Sequence, residues 1–141
     1  MLMTREEIYL EARKWTGVRF LHQGRSRMGI DCVGMCQKVG DAFGIEYDDL
    51  QGYARCPTDL RFLRHLRKYL PSYPINGNRV GCVGVFRQSV YPCHIGIFGQ
   101  DDKGHLTLIN ARADRGKVVE EVWMEGVFHL VELRQFPGME D

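Results

Sequence analysis

From Val80 onward the chain runs as short apolar-rich stretches broken by turn residues, after a first half written in helical periods, and this order constrains the fold most. Val80–Arg87, His94–Gly99, Leu106–Ala111, Lys117–Val122 and Val127–Phe136 each have strand length and strand composition. Gln100-Asp101-Asp102-Lys103-Gly104 and Asp114-Arg115-Gly116 separate two of the joins with turn chemistry. Turns that short only join antiparallel neighbours, because a parallel return needs a crossover of a dozen or more residues.

The first half carries three helical signals. Thr4-Arg5-Glu6-Glu7 fits a capping box, and Ile8, Ala12 and Trp15 then recur at helical spacing, predicting a helix over 5–15 that ends before Gly17. Residues 17–31 have no sustained period and read as loop. A second helix is expected from Cys32, with Asp31 as its N-cap and Gly44 closing it. Cys56-Pro57-Thr58-Asp59 opens a third, with Leu60, Leu63, Leu66 and Leu70 inward, stopped by Pro71 and Pro74. Helices followed by a run of strands indicate an α+β domain on an antiparallel sheet. With 141 residues and no linker, repeat or low-complexity tract, residues 1–141 are expected to form one domain.

Composition narrows the function classes. A net charge of +1 gives no electrostatic reason to expect nucleic acid as a partner. The basic residues Arg25 and Arg27, and Arg61, Arg64, Arg67 and Lys68, read as solvated loop and helix faces. No stretch is long and apolar enough for membrane insertion, and Met1–Glu7 lacks the pattern of a signal peptide. Five cysteines without a repeating framework suit a reducing compartment. The expectation is cytoplasmic synthesis without a signal peptide; a substrate outside the cell would need a carrier to reach it.

Two motifs carry chemistry. In Asp31-Cys32-Val33-Gly34 a thiol falls in the first turn of a helix, where outward amides and the helix dipole favour the thiolate. The same amides suit the oxyanion of an acyl transfer. In Cys93-His94-Ile95-Gly96-Ile97 a histidine lies on a strand beside a glycine that leaves room on its face. Cys32 is thus the candidate nucleophile and His94 the candidate base. Asn110 ends the next strand, in position to accept from the imidazole's second nitrogen, although a strand-capping role is also open to it. Cys36, one turn deeper than Cys32, is assigned to the core. A metal site from Cys32, Cys36, Cys93 and His94 would need ligand spacings unlike those of zinc motifs, so no metal and no cofactor are expected.

Trp15-Thr16-Gly17-Val18-Arg19-Phe20, His22-Gln23-Gly24-Arg25, Asp31-Cys32-Val33-Gly34 and His94-Ile95-Gly96-Ile97-Phe98 resemble the NlpC-type cysteine peptidases, papain-like enzymes that cut bacterial cell-wall peptides. The His-Gln-Gly-Arg loop and the short chain are most similar to members carried with phage tails and gene-transfer particles. The resemblance implies a papain-like fold, a peptidoglycan peptide as substrate, and phage-tail or particle proteins as partners. It implies Cys32 as nucleophile, His94 as base, and Asn110 where the family carries a polar third residue, usually histidine. It also places Asp31, Phe20 and Val33 at the substrate. Phe20 stands where many members have tyrosine, Val33 where serine usually follows the cysteine, and Gly81-Cys82 where Gly-Asp is usual. Loss of the tyrosine and serine also fits a second reading, a catalytically weak or inactive tail or assembly module on the same fold.

Overall fold

The computed structural model describes residues 2–54, 60–87 and 92–140. Ten strands and three helices are described: β1 (Met3–Thr4), α1 (Arg5–Arg13), β2 (Arg25–Ser26), β3 (Gly29–Ile30), α2 (Cys32–Ala42), α3 (Arg61–Tyr69), β4 (Ser72–Tyr73), β5 (Val83–Arg87), β6 (Pro92–Gln100), β7 (Leu106–Arg112), β8 (Lys117–Val122), β9 (His129–Arg134) and β10 (Met139–Glu140). Six of the strands form one sheet in the order β4-β9-β5-β6-β7-β8, every neighbouring pair antiparallel. The chain is therefore mixed helix and sheet, as an α+β reading requires.

Local chemistry explains where the elements start and stop. The Thr4 hydroxyl accepts from the Glu7 amide at 3.1 Å, and the Glu7 carboxylate accepts from the Thr4 amide at 3.2 Å, so the expected capping box opens α1. The helix ends at Arg13 rather than Trp15, because residues 14–18 tighten into turns through bonds such as Trp15 N–H to Ala12 O at 3.0 Å. In the stretch expected to be loop, β2 and β3 pair as a two-residue hairpin, Ser26 opposite Gly29. The expected start of the third helix at Cys56–Asp59 lies outside the described residues; α3 is described from Arg61.

Strand alternation sorts side chains onto two faces. Val83, Val85, Ile95, Ile97, Ile109 and Val118 enter one core with Ile8 and Ala12 of α1, Val33, Met35 and Val39 of α2, and Phe62 and Leu66 of α3. Phe86, Phe98, Leu108 and Leu133 form a second cluster with Trp123, Phe128 and Leu130. All three helices thus pack with one side of the sheet, and the other side carries a small aromatic core of its own. Phe86 and Phe98 meet with ring centres 6.2 Å apart, and Trp123 packs edge-on to Phe98 at 5.1 Å.

The loop after α1 is tied to the far end of the sheet. Gly17 N–H donates to Val118 O at 2.9 Å, Val118 N–H to Val18 O at 2.9 Å, and Phe20 N–H to Gly116 O at 2.8 Å. Those bonds fix the segment that leads into Asp31 and α2.

Candidate active site

Asp31 is where the sequence expected a helix cap. Its backbone is extended, and its Oδ1 accepts from the Gly34 amide at 2.9 Å. The carboxylate does more than cap. Oδ1 also accepts from Arg25 Nη1 at 3.0 Å, while Oδ2 accepts from the Gln23 amide at 2.8 Å and from the Tyr53 hydroxyl. With only 2% of its surface exposed and both oxygens occupied, Asp31 serves the scaffold.

Arg25 is the hub of the same network. Beyond Asp31 it reaches Gln37 Oε1 at 3.1 Å, Asp49 Oδ1 at 3.1 Å, Leu50 O at 2.8 Å and the Tyr53 hydroxyl at 2.9 Å. The reading of Arg25 as a solvated loop charge is therefore corrected. A guanidinium with this many fixed acceptors is a clamp between the β2–β3 hairpin, α2 and the segment ending at Tyr53. Arg27 fits the solvated reading only in part, since its guanidinium lies over the Trp15 ring at 3.9 Å. Burial first, and then the Asp31 carboxylate, push the Tyr53 phenol above its ordinary value, so it remains a donor.

Cys32 is the first residue of α2 and is half-buried at the margin of the helix-side core. Gly34 explains the motif's spacing. A Cβ there would collide with the Gly24 carbonyl oxygen and crowd Ile30 Cγ1, so the missing side chain lets the hairpin backbone sit directly against the first turn of α2. Val33 is 2% exposed, and its side chain packs in the helix-side core. Phe20 is half-buried and packs against the same core. Cys36 is buried as expected, and burial pushes its thiol up to about 12.

His94 lies on β6 opposite Phe86 of β5, 6% exposed. Its Nε2 and Asn110 Oδ1 are 2.9 Å apart, so the structure brings these two expected site residues together. Gly96 makes the approach possible, because a Cβ there would press on Asn110 Cβ and Leu108 Cδ1. The imidazole packs against two aromatic rings that also touch each other, Phe128 stacked at 6.0 Å and Phe86 tilted at 6.0 Å. Burial therefore lowers its pKa from the ordinary value against the opposing effect of the Asn110 bond. At neutral pH the ring is uncharged, the form a base needs.

His94 and Asn110 project into the aromatic cluster, whereas α2, which begins with Cys32, packs across the other side of the same two strands. The site residues that sequence reasoning missed lie on the His94 side. Asn110 Nδ2 donates to Glu121 Oε2 at 2.9 Å, and Arg112 Nη1 donates to Glu121 Oε1 at 3.0 Å. The register that sets Asn110 opposite Val119 and Leu108 opposite Glu121 puts Glu121 on the same face as Asn110. Strand alternation on either side of the Asp114–Gly116 turn held that signal. Among the described residues, no group of three or more His, Cys, Asp and Glu is arranged to hold a metal ion. No described helix is long and apolar enough to cross a membrane. No protein-family model matches the chain, and no curated protein matches it.

Proposed function

We propose that this protein is a papain-like cysteine peptidase or amidase of the NlpC type, hydrolysing amide bonds in cell-wall peptides, and carried with a phage tail or a similar particle. The observation that carries the reading is the His94–Asn110 pair, a neutral buried imidazole bonded through Nε2 at 2.9 Å to an amide oxygen. That bond leaves Nδ1 as the basic nitrogen. The proposed reaction needs Cys32 Sγ brought to Nδ1, although α2 packs on the other side of the sheet from the His94 ring; Nδ1 then takes the Cys32 proton and the thiolate adds to the substrate carbonyl. Backbone amides at the start of α2 meet the oxyanion, although the Gly34 amide is already committed to Asp31. The protonated imidazole then gives its proton to the leaving amine. A water, deprotonated by the same nitrogen, hydrolyses the thioester and restores the thiol.

A specific observation favours a second reading, a tail or assembly module that uses the fold without catalysis. His94 is 6% exposed and packs in the aromatic cluster, on the side of the sheet away from the helices. The deciding experiment is incubation of purified peptidoglycan fragments with the protein and with Cys32→Ala, read by mass spectrometry. Cleavage lost in the variant supports the peptidase and identifies the bond. Absence of cleavage across several wall chemistries supports the module.

A further inference from the structure

We propose that Glu121 is a positioning residue that sets the tautomer of His94 by fixing which end of the Asn110 amide faces it. The side chains form a closed circuit. His94 Nε2 meets Asn110 Oδ1 at 2.9 Å, Asn110 Nδ2 donates to Glu121 Oε2 at 2.9 Å, and Arg112 Nη1 donates to Glu121 Oε1 at 3.0 Å. Arg112 then lies over the Phe128 ring at 5.5 Å, and Phe128 stacks on His94 at 6.0 Å. Asp114 holds the other edge of Arg112 in two bonds of 2.9 and 2.6 Å, so the guanidinium has little freedom to leave.

The logic follows from what each group can donate. An amide side chain presents an acceptor on one end and donors on the other, so the groups at its two ends decide which way it faces. A carboxylate held by a guanidinium can only accept, so the amino end of Asn110 must face Glu121. Its oxygen must then face His94, which requires Nε2 to carry the proton and leaves the Nδ1 lone pair open. Asn110 is fully buried, so water is not there to correct a wrong orientation. Without Glu121, Asn110 is free to turn over, offer an N–H to Nε2, and drive the proton to Nδ1. An imidazole in that form cannot take a proton at Nδ1. The catalytic meaning of this device rests on reading His94 as the base; the tautomer itself does not.

Long-range proton–nitrogen NMR of the His94 ring, recorded above its titration, tests the proposal without an activity assay. The wild-type protein is expected to show a single Nε2–H tautomer. Glu121→Val, which suits a strand but cannot accept, is expected to show a mixture with Nδ1–H. Glu121→Asp keeps two acceptor oxygens, one for Arg112 and one for Asn110, and should hold the wild-type pattern. So should Glu121→Val combined with Asn110→Asp, since an aspartate can only accept from Nε2. A wild-type Nδ1–H tautomer, or an unchanged Nε2–H tautomer in Glu121→Val, overturns the proposal, and the wild-type spectrum tests the first point even if that variant does not fold. If the tautomer shifts as expected while the wild-type protein cleaves no wall fragment, the positioning role stands and the peptidase reading fails. If cleavage is found, Glu121→Val should lower kcat with KM unchanged, and Glu121→Asp should recover it.

Discussion

Arg25 Nη1 donates to Asp31 Oδ1 at 3.0 Å, directly beneath the first turn of the helix that Cys32 begins. The same carboxylate holds the Gly34 amide, the Gln23 amide and the Tyr53 hydroxyl, so its removal strands several donors at once. Asp31→Ala is expected to cost about 3 kcal/mol, combining a lost cap with a broken buried ion pair. Asp31→Asn keeps an acceptor for the Gly34 amide and should cost less. Urea unfolding of both variants checks this. A loss below about 1 kcal/mol for Asp31→Ala would mean that Arg25 re-pairs through its remaining acceptors without strain.

Gly34 makes a second point about the same motif. An added methyl would stand against the Gly24 carbonyl oxygen, and backbone cannot swing aside as a flexible side chain can. Gly34→Ala is therefore expected to destabilise by about 2 kcal/mol despite alanine's better helix propensity, as overpacking does elsewhere. The shift should also reach Cys32, seen as a changed rate of thiol alkylation under conditions where the protein stays folded. A neutral or stabilising result would show that the hairpin can lift from α2 at no cost.

The buried His94 gives stability a definite dependence on pH. Its folded pKa lies below the unfolded value of 6.5, so the unfolded chain binds the proton more readily. The stability it contributes is fully present above 6.5 and is lost as pH falls from there through the lower folded pKa. His65, also lowered by burial, pushes in the same direction. The measurement is therefore a difference: melting temperature against pH for the wild type and for His94→Gln, between about pH 5 and 8. The variant is expected to show the shallower loss on the acid side. Parallel curves would mean that His94 charges as easily in the folded protein as in the unfolded chain.

Much of the arrangement could be read along the chain. Thr4 with Glu7, and Asp31 with Gly34, are local patterns whose hydrogen bonds span three residues, and each produced the expected helix start. Lys117–Val122 is a strand with the expected ends because turn residues bound it. The pairing of His94 with Asn110 followed from alternation across one turn. What failed depended on distance in sequence. Arg25 looked solvated because its partners Asp49, Leu50 and Tyr53 lie beyond α2. Glu121 was missed because its role needs the register of β7 against β8, which a list of polar residues does not contain.

Cys32 and Cys36 lie one helical turn apart and are expected to behave as different chemical species. Cys36 is buried in the core, and desolvation, followed by the neighbouring Cys32 charge, raises its thiol to about 12. Almost none of it is thiolate at neutral pH, and reagents cannot reach it. Cys32 is half-buried at the positive end of the helix, where the dipole favours the thiolate. Alkylation of the folded protein with iodoacetamide at about pH 7.5, followed by peptide mapping, should modify Cys32 faster than Cys36 by about a hundredfold or more. In urea the two rates should converge, which separates environment from sequence. The sign for stability follows from the same shift. A thiol raised on folding stabilises the protein below its unfolded value of 9.0, and that contribution fades as pH rises from 9.0 toward 12. Comparable labelling of both thiols in the folded state would show that the first turns of α2 open readily, and would remove the rigid nucleophile that the peptidase reading needs.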